Sequence, residues 1–203
     1  MTPIEIERLV AAGEVQMIDV RPMPAFSAGH VPGALSAPFN RQNWSPAVAE
    51  WTGQNSIGIV LFGDNPVILE VAQKALSEHH VTPSAVWSQG TEAWRQQGGA
   101  LVAIRQITID ALRQEFREHT VIDVREPYEW RSGTIPGALK IPLGQLSAHL
   151  KELDTAGSYA VVCAHGNRSQ TGASLLADNG YTAGSVVGGM ALWLSAGYPV
   201  DQD

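Results

Sequence analysis

The chain has one cysteine, Cys163, among its 203 residues. A lone thiol excludes an intrachain disulfide, a CxxC redox pair and a resolving cysteine within the chain, and it fits the reducing cytoplasm. Charge is also scarce: Asp, Glu, Lys and Arg make up 16% of residues, the net charge is −7, and no basic cluster occurs. That balance argues against nucleic acid as a partner. No apolar run approaches the ~20 residues a membrane-crossing helix needs, so no membrane partner is expected. The N-terminus, Met1-Thr2-Pro3-Ile4-Glu5-Ile6-Glu7, lacks the basic and apolar regions of a secretory signal. The six histidines are scattered without metal-ligand spacing, and neither a metal nor another cofactor is expected. With 44% hydrophobic residues the chain still has the material for a core, which excludes a disordered polymer.

What the sequence does hold is an internal duplication. Residues 18–34 read IDVRPMPAFSAGHVPGA and residues 122–138 read IDVREPYEWRSGTIPGA, at an offset of 104. Gly90 and Trp94 recur as Gly189 and Trp193 at an offset of 99. A period this long means two homologous domains rather than a solenoid. They are placed at residues 1–103 and 104–203, with the seam near Gly98–Arg105. Each reads as α/β, with short apolar strands alternating with helical patterns around a mainly parallel sheet. In the second copy, strands are expected at 107–109, 121–124, 138–141, 159–162 and 185–187. Helices are expected at 110–119, at 143–153 and from Ser169 to Asn179.

The duplication supplies an internal control. Features in both copies serve the fold, and features in one copy serve chemistry. Asp19 and Asp123 recur, so their expected role is to accept turn N–H groups or to pair with a nearby arginine. The segment Cys163-Ala164-His165-Gly166-Asn167-Arg168-Ser169 occurs only in the second copy. At the offset of 99, Cys163 aligns with Asp64 and Arg168 with Leu69, in a loop where Pro66 has no N–H to donate. The first domain is therefore read as inactive and the second as catalytic.

Cys163 follows an apolar strand and precedes a helix. A sulfur there meets the N–H groups of a helix start, where partial positive charge gathers, and Arg168 adds a full charge. Such surroundings favour the thiolate and make the sulfur a nucleophile. Backbone N–H groups from Ala164 through Ser169 are expected to form a bowl for an anion, with Gly166 supplying unusual dihedral angles. The candidate site is thus Cys163 as catalytic residue, with Ala164, His165, Gly166, Asn167, Arg168 and Ser169 binding substrate. Trp130 and Trp193 are expected at its rim.

Four segments carry a family resemblance: Ile122–Glu126, the Gly133-Thr134-Ile135-Pro136-Gly137-Ala138 turn, the 163–169 loop, and Gly188-Gly189 with Trp193. Together they resemble the rhodanese sulfurtransferase family, as a tandem pair spanning the chain. The resemblance implies a parallel five-stranded α/β domain in each half and a persulfide mechanism. Cys163 would take the outer sulfur of a small anionic donor such as thiosulfate and pass it to cyanide or a thiol. The related cysteine phosphatases have a loop one residue longer than the four residues between Cys163 and Arg168 here, and mercaptopyruvate sulfurtransferases lack the arginine pattern. A phosphatase or arsenate reductase on the same scaffold is the weaker option. The alternative within sulfur chemistry is a persulfide carrier that relays sulfur between partner proteins, with the first domain as docking surface.

Overall fold

A computed structural model describes residues 1–40, 44–45, 48–49 and 57–202. The chain divides into two compact units, Met1–Ala103 and Ile104–Asp203.

The first unit runs α1 (Pro3–Ala11), β1 (Val15–Asp19), α2 (Met23–Ala28), β2 (Leu35–Ser36), β3 (Gly58–Phe62), α3 (Pro66–Ser77), β4 (Ala85–Trp87) and α4 (Gly90–Gln96). Its strands pair in parallel in the order β2-β1-β3-β4. The interior of β3 is apolar and buried, as a strand covered on both faces requires. Helix α3 turns Leu69, Ala72 and Leu76 inward at helical spacing, against Ile18, Ile59 and Leu61 of the sheet.

The second unit runs β5 (Arg105–Ile107), α5 (Ile109–Gln114), β6 (Thr120–Asp123), α6 (Pro127–Trp130), β7 (Leu139–Lys140), α7 (Leu146–His149), β8 (Ser158–Val162), α8 (Asn167–Asp178), β9 (Thr182–Val186) and α9 (Gly189–Ser195). All its strand pairs are parallel, in the order β5-β9-β8-β6-β7. The chain leaves β6 for β7 on one side and returns to β8 on the other, so β6 and β8 flank the switch point of the sheet. Crevices for ligands open at that point, beyond the carboxyl ends of the strands.

Two parallel α/β domains are present, but the strand count differs between them. Thr108 caps α5 after β5, and Thr2 caps α1 in the same way. Among the described residues the first sheet has no strand equivalent to β5, so it has four strands where five were expected. The helix expected at 143–153 is one α turn, α7, between 3-10 turns at Leu143–Gln145 and Leu150–Glu152. Gly144, Ser147 and His149 are poor helix formers, and only Leu146 of its leucine stripe is fully buried. The helix expected at 110–119 likewise stops at Gln114 and continues as a 3-10 turn, Phe116–Glu118. No described helix is long and apolar enough to cross a membrane.

Each unit closes on itself in the same way. His30 and Val102 exchange two backbone hydrogen bonds, each of 2.9 Å, and so do Thr134 and Asp201.

Candidate active site

The repeated Asp-x-Arg at the end of β1 and of β6 builds a scaffold. Arg125 forks onto both carboxylate oxygens of Asp123 at 2.7–3.0 Å and donates to the Gly133 carbonyl at 2.8 Å. Arg21 does the same with Asp19 and the Gly29 carbonyl. All four side chains are buried, and each pair is internally satisfied, which is the condition for burying charge without a large penalty. The pairs fix the turn after each strand in both copies, as their recurrence implied.

Cys163 directly follows β8 and is 1% exposed. The Gly166 amide donates to its Sγ at 3.1 Å, and the thiol donates to Ser169 Oγ at 3.6 Å. The Ser169 hydroxyl in turn donates to the Gly166 carbonyl at 3.0 Å and lies 2.7 Å from Ser185 Oγ on β9. Gly166 stands at φ 103°, a region that L side chains rarely adopt, and there the loop curls back so that its amide faces the sulfur. Of the amides expected to ring the sulfur, this is the one within hydrogen-bond reach.

Two further glycines shape the loop. Gly172 lets α8 press on β8, since a Cβ there would sit 3.0 Å from Val161. Gly189, at φ 56°, starts α9 directly behind the loop. The Met190 amide then donates to the Cys163 carbonyl at 2.8 Å and the Ala191 amide to the Ala164 carbonyl at 2.9 Å. The first two carbonyls of the loop are thus tied to the last helix.

Helix α8 begins at Asn167, two residues earlier than expected, with Gly166 as N-cap and no side-chain cap. Arg168 does not stand free beside the sulfur. Its two terminal nitrogens bond the two carboxylate oxygens of Glu129 at 2.6 and 2.7 Å. Glu129 Oε2 also accepts the Glu126 amide at 2.9 Å, closing the first turn of α6. The Arg168 hydrogen bonds hold the Glu129 carboxyl below its usual range, and Glu129 holds the guanidinium above its own. Arg168 also lies within electrostatic range of the Cys163 sulfur.

Ser169 and Gly166 are buried, Ala164 is half-buried, and His165 and Asn167 are exposed. Trp193 is no rim residue: it is 2% exposed and its indole donates to the Pro199 carbonyl at 2.8 Å. Trp130 is half-buried, and its buried Nε1 has no hydrogen-bond partner among the described residues. Glu129 and Ser185 went unread in the sequence. The internal control held a signal for Glu129, because the first copy has Ala25 at the offset of 104.

Strand register corrects the alignment of the two loops. Asp19 pairs with Phe62, and Asp123 with Val162. The Val20 amide bonds the Phe62 carbonyl, as the Val124 amide bonds that of Val162. The residue equivalent to Cys163 is therefore Gly63, one before Asp64, and the one equivalent to Arg168 is Ile68. A Cβ on Gly63 would lie 3.2 Å from both Leu69 and Val20. Leu69 thus fills in the first unit the room that Ser169 leaves for sulfur in the second. The helix start is closed as well: Asn65 Oδ1 accepts the Val67 and Ile68 amides at 3.0 and 3.3 Å. A hollow of about 20 Å³ remains there, lined by Arg21, Asp64, Asn65 and their neighbours, room for about one water.

A family model described as "Rhodanese-like domain" matches residues 2–97 and again 108–196. The putative sulfurtransferase YtwF of Bacillus subtilis (strain 168) is 33% identical over 93 residues, which are 44% of this chain and 90% of that one. Thiosulfate sulfurtransferase GlpE of Pseudomonas entomophila (strain L48) is 36% identical over 90 residues, 44% of this chain and 80% of that one. Among solved structures, a rhodanese-related protein from Thermoplasma volcanium is 38% identical with a TM-score of 0.48, covering 49% of this chain and 99% of that one. With both halves matched by the same model, the chain belongs to the rhodanese-like domain family and carries that domain twice.

Proposed function

We propose that the second domain is a sulfurtransferase that moves a sulfane sulfur from thiosulfate or a similar donor to cyanide or a thiol, through a persulfide on Cys163. Membership of the rhodanese-like family and the names of the relatives support the transferase class. The observation that carries the reading is the sulfur at the end of β8, held by the Gly166 amide and the Ser169 hydroxyl. The Ser169 hydroxyl accepts from a thiol and, by rotation, donates to a sulfur anion, so one cradle serves both forms. The first domain, with Gly63 in place of the thiol and Leu69 in its room, is proposed to be inactive.

In the first half-reaction the Cys163 thiolate attacks the outer sulfur of thiosulfate. A new S–S bond forms, the donor's S–S bond breaks, and sulfite leaves with the electron pair. In the second, cyanide or a thiolate attacks the outer sulfur of the persulfide and restores the Cys163 thiolate. Two such displacements give ping-pong kinetics. With no second cysteine in the chain, the acceptor is external, a small molecule or a relay protein.

Intact mass tests this. Incubation with thiosulfate should add the mass of one sulfur atom, absent in Cys163→Ser, and cyanide should remove it as thiocyanate. Loading of Cys163 by a persulfidated protein but by no small donor would replace the enzyme with a carrier. Hydrolysis of an aryl phosphate without any sulfur loading would overturn both.

A further inference from the structure

The loop from Cys163 to Ser169 contains one arginine and no lysine, so Arg168 is its single permanent cation. The fold occupies that cation. Glu129 takes both terminal nitrogens of Arg168 in a two-bond fork, and the formal charge of the pair is zero. The carboxylate also accepts the Glu126 amide at 2.9 Å, whereas in α2 the equivalent place is held by Ala25 and the N-cap, Pro22, has no amide to offer. The carboxylate is present in the copy that has the thiol and missing from the copy that lacks it. The charge it cancels is the one that would draw a small dianion towards the sulfur. A net charge of −7 over the whole chain offers no substitute. Beside the pair, Tyr128 is 69% exposed and within electrostatic range of Arg168. Its ring offers apolar surface to an organic group rather than a partner for an anion.

Resting on the sulfur-transfer reading above, we propose that Glu129 determines donor specificity: by neutralising Arg168 it turns the Cys163 site away from dianionic donors and towards organic hydropersulfides, whose sulfur pair carries at most a single charge. The chemistry balances without an added oxidant or reductant. The Cys163 thiolate attacks the terminal sulfur of R–S–SH, a new S–S bond forms, and the donor's S–S bond breaks. The electron pair leaves on R–S⁻, and the proton stays with the transferred sulfur.

The test compares second-order rates of Cys163 loading by thiosulfate and by 2-hydroxyethyl hydropersulfide, followed by intact mass, in the full chain and in Glu129→Gln and Glu129→Ala. The ratio of thiosulfate to hydropersulfide rates should rise roughly tenfold or more in both variants, through a lower KM for thiosulfate. An unchanged or lower ratio overturns the proposal, since a carboxylate that merely props the loop slows both donors alike. The unsubstituted protein gives a second reading that needs no variant. With the mouth neutral, its thiosulfate loading should hold or rise from low to high salt, whereas a steep fall would reveal an unpaired cation and overturn the proposal. If neither donor loads Cys163, the sulfur-transfer reading itself fails and the filter falls with it, a result distinct from an unchanged ratio.

Discussion

A Cβ placed on Gly189 would lie 2.2 Å from the Cys163 carbonyl oxygen and 2.9 Å from that of Ala164. Backbone cannot yield as the end of a long side chain can, and the residue already sits at φ 56°. Gly189→Ala should therefore destabilise the second unit by about 2–4 kcal/mol. It should also slow sulfur loading of Cys163, because α9 no longer anchors the loop. Urea unfolding and the mass assay check the two effects. At this scale the sequence was legible where the chemistry is local. Cys163, Gly166 and the Gly188-Gly189 pair announce themselves by type and spacing. Glu129 stays hidden because it reaches Arg168 across 39 residues, and no periodicity encodes such a contact. Ser185 is hidden for the same reason, as an ordinary polar residue on a strand until β9 brings it to Ser169.

Two helix starts that occupy the same place in their domains have been finished differently. Asn65 and Pro66 seal α3 with a side-chain cap and a residue that has no N–H to offer. Gly166 leaves α8 without a side-chain cap and turns its own amide to the sulfur. A thiol introduced by Gly63→Cys, in a Cys163→Ser background, would meet Leu69 and Val20 rather than a hydroxyl and an amide. It should gain no sulfur from thiosulfate or a hydropersulfide by intact mass, and a gain would show that the first unit retains the chemistry. Elements are most legible where both faces are covered: the short apolar stretches at 121–124 and 159–162 match β6 and β8 to within one residue. The 143–153 segment misleads because its leucines have helical spacing while Gly144, Ser147 and His149 weaken the helix between them. The offset of 99 at Gly90 and Gly189 holds only beyond the loop, where the spacing between copies is 100, so sequence spacing alone sets the two loops one residue out of line. Strand register, which needs the sheet, settles it.

At the scale of the molecule, the two units share an architecture, and a buried histidine in the first should make them differ in their response to acid. His30 is fully buried, stacked on Phe26 with its Nδ1 2.9 Å from the Phe26 carbonyl. Burial, aided by Arg21, brings its pKa down from 6.5 to about 4. The unfolded chain then binds a proton between those values that the folded one refuses. The stability this group confers is complete above pH 6.5 and is lost as pH falls towards about 4, a loss of about 3 kcal/mol. The second unit has Thr134 at this position, which does not titrate. In urea unfolding at pH 7 and at pH 4, His30→Thr should be spared that loss in the first unit, and the difference between the two proteins isolates this imidazole. Equal acid sensitivity in both would show that His30 titrates alike in the folded and unfolded chain, and would overturn the prediction.

The paired backbone bonds from His30 to Val102 and from Thr134 to Asp201 give each half its own fastener. Neither fastener uses a peptide bond between Ala103 and Ile104. A protease that nicked the chain at that point would leave both buckles shut, and each piece would keep its own ends tucked in.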